Sequence, residues 1–247
     1  MENFGWLNVL QNQGRKVYSQ GGQDGYLQFI FRNIGTTNKV SVEFGFNTTT
    51  LTGGDGANTA RLVIEDGWIS ILLDKDYDEP NINLHKEWLT PANIGDVFRR
   101  YNVPEEVDYV SMDVDSIELW LFESLIDSGF RPRVVSCEYN SNFPIDISVT
   151  NKPNAVWRGD GSFGSSFRAL YLLGKSKGYN AVCVEPGLDI FFIRNDIVPD
   201  EFGILHFAPF CGHGSHATPS RESLAWMIQY PSLEPLQKDQ IPWTHLA

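Results

Sequence analysis

The chemistry in this 247-residue chain gathers where short apolar runs end, and those ends are acidic. Glu43 lies near the end of one run, KVSVEF, with Gly45 just beyond it; Asp74 ends ISILLD; Asp113 and Asp115 follow VDYVSM; Glu138 sits at the end of RVVSCEY. In a cleft a carboxylate can accept hydrogen bonds from ligand hydroxyls, take a proton from one, or hold a hard cation through oxygen. If the runs that carry Asp113, Asp115 and Glu138 are neighbours, the three converge. Such a cluster is costly unless a cation, protons or a substrate ammonium offsets the repulsion. Mg²⁺ or another divalent ion is one solution and general-base work another. The plainer alternative has Asp113 capping a helix, Asp115 in solvent and Glu138 paired with an arginine such as Arg168.

Asp74 stands about 30 residues after Glu43. An acidic side chain at the end of a second strand can accept both hydroxyls of a ribose, in nicotinamide and S-adenosylmethionine enzymes alike; otherwise it is a solvated carboxylate. The stretch NTTTLTGGDGANT after Gly45 is glycine-rich, yet its spacing is not G-x-G-x-x-G and a long loop separates it from the next helix, which weighs against a nicotinamide cofactor. The run CGHGSH at 211–216 has soft metal ligands but no second pair nearby, so it reads as a Gly- and Ser-rich loop rather than a zinc site. His85 and His206 read as structural histidines, although His85 follows the second strand closely enough to reach the cleft.

These residues need a scaffold, and the periodicity supplies one. The apolar runs at 39–44, 69–74, 107–114 and 133–139 have the length and β-branched content of buried parallel strands. Helical patterns lie at 23–34, 58–66, 92–101, 116–128 and 164–177. Alternation of strand and helix predicts an α/β fold with a doubly wound sheet, whose ligands sit beyond the carboxyl ends of the strands. Two further strands, 180–185 and 188–195, are joined only by Pro186-Gly187, a joint that permits a hairpin and not a parallel crossover. A mostly parallel sheet with a C-terminal antiparallel hairpin is the topology of Rossmann-like class I methyltransferases. This places one domain at 1–199, opening with an N-terminal helix. The tail at 200–247, with a helix near 220–229, is expected to cover the domain or an oligomer contact. The irregular span at 141–165, with Trp157 and Phe163, is expected to form part of a lid.

Composition narrows the partners. Lys and Arg total 19 against 31 Asp and Glu, a net charge of −12, and such a surface repels phosphate backbones and anionic headgroups. Neither nucleic acid nor membrane is expected as a partner. Three scattered cysteines, Cys137, Cys183 and Cys211, make no disulfide framework, and no leader or membrane-span pattern is present, so a cytoplasmic setting is expected.

Taken together, these blocks resemble FkbM-like S-adenosylmethionine-dependent methyltransferases. The likeness rests on YSQGGQDG at 18–25, Val42-Glu43-Phe44-Gly45, Asn58-Thr59 with Leu62, Gly67-Trp68 and Leu72-Leu73-Asp74. It continues through TPANI at 90–94, DYVSMDVD at 108–115, Trp120, Arg133-Val134-Val135, Glu138-Tyr139-Asn140, GSFG at 161–164 and GKSKGY at 174–179. The blocks run in the family's order over about residues 18–195. The resemblance implies S-adenosylmethionine as cofactor, with Glu43, Gly45 and Asn58 beside it, Asp74 on its ribose and Asp113 facing the methyl-transfer site.

It also implies O-methylation of a sugar or other small-molecule hydroxyl. For such an acceptor the residues offer Asp113, Asp115 or Glu138 as base, or a carboxylate-held metal that lowers the hydroxyl pKa, and Trp88, Trp120 or Trp157 near loops or helix ends can stack on a sugar ring. Two positions depart from the family's pattern: Asp55-Gly56 follows an insertion after the first strand, and Asp113-Val114-Asp115-Ser116-Ile117-Glu118 stands where relatives tend to read Asp-Ile-Asp-Gly-Asn-Asp. The second motivates an alternative, a noncatalytic glycan-binding or assembly module on the same fold. A nicotinamide oxidoreductase is a further alternative.

Overall fold

The computed structural model describes residues 4–54, 56–199, 202–211 and 224–236. Its centre is a seven-stranded sheet in the order β3-β2-β1-β4-β5-β8-β7, made from β1 (Val40–Phe44), β2 (Ile69–Asp74), β3 (Leu84–Lys86), β4 (Tyr109–Met112), β5 (Val134–Glu138), β7 (Tyr179–Val184) and β8 (Asp189–Arg194). Strands β3, β2, β1, β4 and β5 pair in parallel, and β8 runs antiparallel to both β5 and β7. The expected α/β class with a mostly parallel sheet and a terminal hairpin is what the chain adopts. The hairpin closes at Gly187, whose φ of 82° is open to a residue without a Cβ.

Alternation along the strands explains the layering. Val42, Phe44, Val110, Met112, Val135 and Cys137 face one core, under α4 (Ile94–Arg100), α5 (Glu118–Asp127) and α6 (Phe167–Ser176). Tyr109, Val134, Phe191 and Ile193 face the other, under α1 (Leu7–Leu10), α2 (Gln23–Ile34) and α3 (Ala60–Asp66). A buried charge ties the amino ends of three central strands together. Asp108, at the start of β4, accepts from the backbone N–H groups of Thr37, Asn38 and Lys39 and from Arg133 Nη1 at 2.8 Å.

Two expectations are corrected and one element is added. Short β3 was not anticipated; its three residues carry too little pattern to read, and it forms because β2 offers it a parallel edge. The span at 141–165 holds a buried strand, β6 (Val149–Asn151), and so is not wholly an irregular surface excursion. The helix expected near 220–229 gives way to β9 (Met227–Gln229), which pairs antiparallel with β6. Leu224, Met227 and Ile228 have helical spacing, but a partner far away in sequence claims their backbone hydrogen bonds, and local periodicity cannot register that partner. Residues 212–223, and with them most of CGHGSH, lie outside the described residues, as does Asp55.

The described tail packs on its own chain. Phe207 is fully buried, with Phe202, Ile204 and Phe210 against the core that includes α6. Among the described residues no helix is long and apolar enough to cross a membrane.

Candidate functional site

The chain leaves β1 toward β2 and β3 on one side and later returns to β4 on the other, so the strand order reverses between β1 and β4. Adjacent connections diverge at such a point and leave a crevice at the carboxyl ends. Here it is a cavity of about 840 Å³, lined from β1, β2, the loop after β4, β5, β8 and the span after β6. That volume falls within the range of small-molecule and cofactor sites.

Gly45 makes the crevice possible. Its φ is 73°, and a Cβ there would overlap the carbonyl oxygen of Asp113, so only glycine lets the end of β1 lie against the end of β4. Beside it Glu43 is buried with both oxygens engaged. Oε1 accepts from Asn58 N at 2.8 Å and Oε2 from Thr59 N at 3.0 Å and from the Thr59 hydroxyl. These donors are at the start of α3, so the carboxylate anchors the loop between β1 and α3 to the sheet. Burial pushes the Glu43 carboxyl up to about 6, against the lowering effect of those bonds.

A buried polar chain continues from there. Asn58 Nδ2 donates to Ser111 Oγ at 2.9 Å and to Asp189 Oδ2 at 3.4 Å, and Gln23 Nε2 donates to the same Asp189 oxygen at 2.8 Å. Asp189 is likewise pushed up to about 6 by burial. On the facing side Asp24 Oδ2 accepts from the N–H groups of Val17, Tyr18 and Ser19, folding the loop that presents Gln20 and Gln23 to the cavity.

Asp74, at the end of β2, is buried and lines the cavity. Its Oδ1 accepts from Asp76 N at 2.7 Å and Tyr77 N at 3.1 Å, which turns the chain sharply after the strand and holds the carboxylate at the rim. Asp113, Asp115 and Glu138 also line the cavity, as their strand-end positions predict.

The close carboxylate group is different from the expected one. Oxygens of Asp113, Glu118 and Glu138 lie within 4.8 Å of one another; Glu118, from the first turn of α5, takes the place expected for Asp115. Asp115 has a φ of 59° and sits beside the group, adding to its negative field. Glu118 is fully buried; its Oε1 accepts from Val114 N and Ser116 N, both at 2.9 Å. Among the described residues neither Glu118 Oε2 nor Glu138 Oε2 has a hydrogen-bond partner. Two unit charges 4.8 Å apart repel by roughly 3.5 kcal/mol at an effective permittivity of about 20, before any cost of burial. Burial, then mutual repulsion, therefore raises the Asp113 and Glu138 carboxyls well above the ordinary carboxylate range, and Glu118 rises to about 7.

The sequence reading missed Glu118, Asp189 and Gln23. Glu118 looked like an ordinary helix residue, and the only hint was its place in the divergent Asp113–Glu118 stretch. Asp189 faces Glu138 across the β5–β8 ladder, a register visible only once the hairpin is docked.

The mouth is aromatic. Tyr77, Trp88 and Trp157 line it while remaining 40%, 56% and 44% exposed. The span after β6 contributes Ala155, Val156, Trp157, Gly159, Asp160 and Phe163, and Trp157 Nε1 donates to Asp160 O at 2.8 Å. Asn140 Nδ2 holds that span down through Gly161 O and Phe163 O. Trp120 is elsewhere, its Nε1 on Asn151 O, and does not line the cavity. His85 stacks on Tyr101 with ring centroids 4.2 Å apart and does not line it either. Among the described residues Lys75 is the only basic side chain in the lining, and it pairs with Asp76. The chain has no significant match among protein-family models, curated proteins or solved structures.

Proposed function

We propose that the protein is an S-adenosylmethionine-dependent methyltransferase that O-methylates a sugar or other small hydroxyl compound. The observation that carries this reading is the acidic cavity at the strand-order reversal, with Gly45 and Asp113 back to back at its floor and Asp74 at its rim. Support also comes from the sheet, whose single antiparallel strand β8 lies between β5 and β7, as in Rossmann-like methyltransferase sheets.

The residues present fit the cofactor by charge and by size. S-adenosylmethionine supplies an electrophilic methyl group on a cationic sulfonium, and a cavity rich in carboxylates favours a cation. Asp74 would accept the ribose hydroxyls, while Glu43 and Asn58 hold the loop that borders the cofactor. Transfer to a hydroxyl is an in-line displacement, so the protein's tasks are to align the acceptor and take its proton. Asp113, Asp115 and Glu138 are the cavity carboxylates suited to that proton. Raised pKa values make the ionised forms of Asp113 and Glu138 stronger bases than ordinary carboxylates. The same negative field disfavours phosphorylated acceptors, and the exposed rings of Tyr77, Trp88 and Trp157 suit the apolar face of a sugar.

Those rings equally suit a noncatalytic glycan-binding module, which would bind sugar without binding the cofactor. Calorimetric titration with S-adenosylmethionine, with NAD(P)H and with sugars separates the readings. We expect S-adenosylmethionine to bind and Asp74→Ala to weaken it by about 1.5 to 3 kcal/mol, the range for a hydrogen bond to a charged group. Equal affinity in Asp74→Ala refutes the ribose assignment; sugar or NAD(P)H binding with no S-adenosylmethionine binding refutes the methyltransferase.

A further inference from the structure

We propose that Asp113, Glu118 and Glu138 form a binding site for an oxygen-preferring divalent cation, of the class of Mg²⁺, Mn²⁺ or Ca²⁺. Their oxygens lie within 4.8 Å of one another, a spread that one ion can bridge. The set is all carboxylate, the donor type of hard cations and not of zinc or copper.

A second, independent feature points to a ligand. Glu118 is fully buried and keeps Oε2 without a hydrogen-bond partner among the described residues, and the buried Glu138 Oε2 likewise has none. A buried carboxylate oxygen left unpaired is expensive, and here two of them belong to one group. Nor is Glu118 loosely placed. Its Oε1 is fixed by Val114 N and Ser116 N, so the second oxygen is held in one orientation, as an outer hydrogen-bond shell holds a metal ligand. Gly164, with a φ of 50°, covers that oxygen closely: an added Cβ would lie 3.1 Å from Oε2.

Asp113 and Glu138 line the cavity and Glu118 does not, so an ion held by the three borders the cavity from below. Its remaining positions are then open to water or to an acceptor hydroxyl. If the methyltransferase reading holds, Asp115 is left as the one of the three carboxylates named for the hydroxyl proton that is outside the ion's ligand set. Cation binding itself does not depend on that reading.

The test uses the full chain, treated with chelator and dialysed, with no S-adenosylmethionine present. Mg²⁺, Mn²⁺ and Ca²⁺ are titrated separately by calorimetry at about pH 8, where ligand protonation competes least. We expect saturable one-site binding and a rise in unfolding temperature with each effective ion. Glu118→Gln and Glu138→Gln should each weaken binding at least about tenfold, whereas Glu105→Gln, an exposed acid elsewhere, should leave it unchanged. Should Glu118→Gln fail to fold, Glu138→Gln on the cavity side decides alone. No saturable binding up to about 10 mM, beyond the weakest ordinary Ca²⁺ sites, overturns the proposal and leaves protons as the compensating charge. Binding that survives the Glu138→Gln change overturns it as well.

Discussion

Raising the pH from about 4.5 to about 7 should weaken the folded state, the reverse of the acid lability that salt-bridged carboxylates confer. The cause lies in Glu43 and Asp189, two buried carboxylates joined through Asn58. Burial pushes Glu43 from 4.5 up to about 6, and Asp189 from 3.8 up to about 6. Each therefore holds its proton more tightly in the folded chain than in the unfolded one. The stabilisation is complete below the unfolded value and is lost as pH climbs through about 6. At 1.36 kcal/mol per pH unit the full shifts correspond to about 2 kcal/mol for Glu43 and about 3 kcal/mol for Asp189, of which about 2 kcal/mol each falls between pH 4.5 and 7.

Glu118, Asp113 and Glu138 act in the same direction. Asp108 and Asp196 act oppositely: despite burial, Arg133 and Arg194 lower their carboxyls, so their contribution disappears only in stronger acid, below the window. Urea unfolding across a pH series, in chelator, measures the effect. Glu43→Gln removes one titrating group, so its stability should fall by about 2 kcal/mol less than the parent's over the same interval. The comparison of slopes discounts any fixed cost of losing a carboxylate acceptor at Asn58 and Thr59. Stability that rises with pH across the window, or a Glu43→Gln slope equal to the parent's, would refute the reasoning.

Gly45→Ala should destabilise the chain by about 3 kcal/mol or more, because it combines a left-handed φ with overlap on the Asp113 carbonyl. A change within about 0.5 kcal/mol in urea unfolding would show that β1 and β4 do not meet this way. Trp157→Ala, at a half-exposed rim position, should alter stability by no more than about 0.5 kcal/mol yet reduce methyl transfer to sugar acceptors. Unchanged turnover on every member of a panel of sugars and small phenols would remove Trp157 from the acceptor site.

Much of the architecture was legible in the residues alone. The runs at 39–44, 69–74, 107–114 and 133–139 announced β1, β2, β4 and β5, since a strand buried on both faces is nearly continuous in apolar and β-branched residues. Pro186-Gly187 announced the antiparallel β7–β8 pair, because two residues span no crossover. The same logic placed Glu43, Gly45, Asp74, Asp113 and Glu138 at one end of the sheet, and all of them line the cavity.

Only the tertiary structure could assemble the rest. Asp189 reaches Asn58 and Gln23 because β8 docks beside β5, a register set by packing and not by local pattern. Glu118 replaces Asp115 in the carboxylate group because the loop after β4 passes through a left-handed residue at Asp115 and folds back onto the Glu118 carboxylate. β6 and β9 are each three residues long, and a strand so short is specified by its partner more than by its own side chains. Periodicity records which face of an element is buried. Which carboxylates share a site depends on the distances between elements, and those are set by how the elements pack.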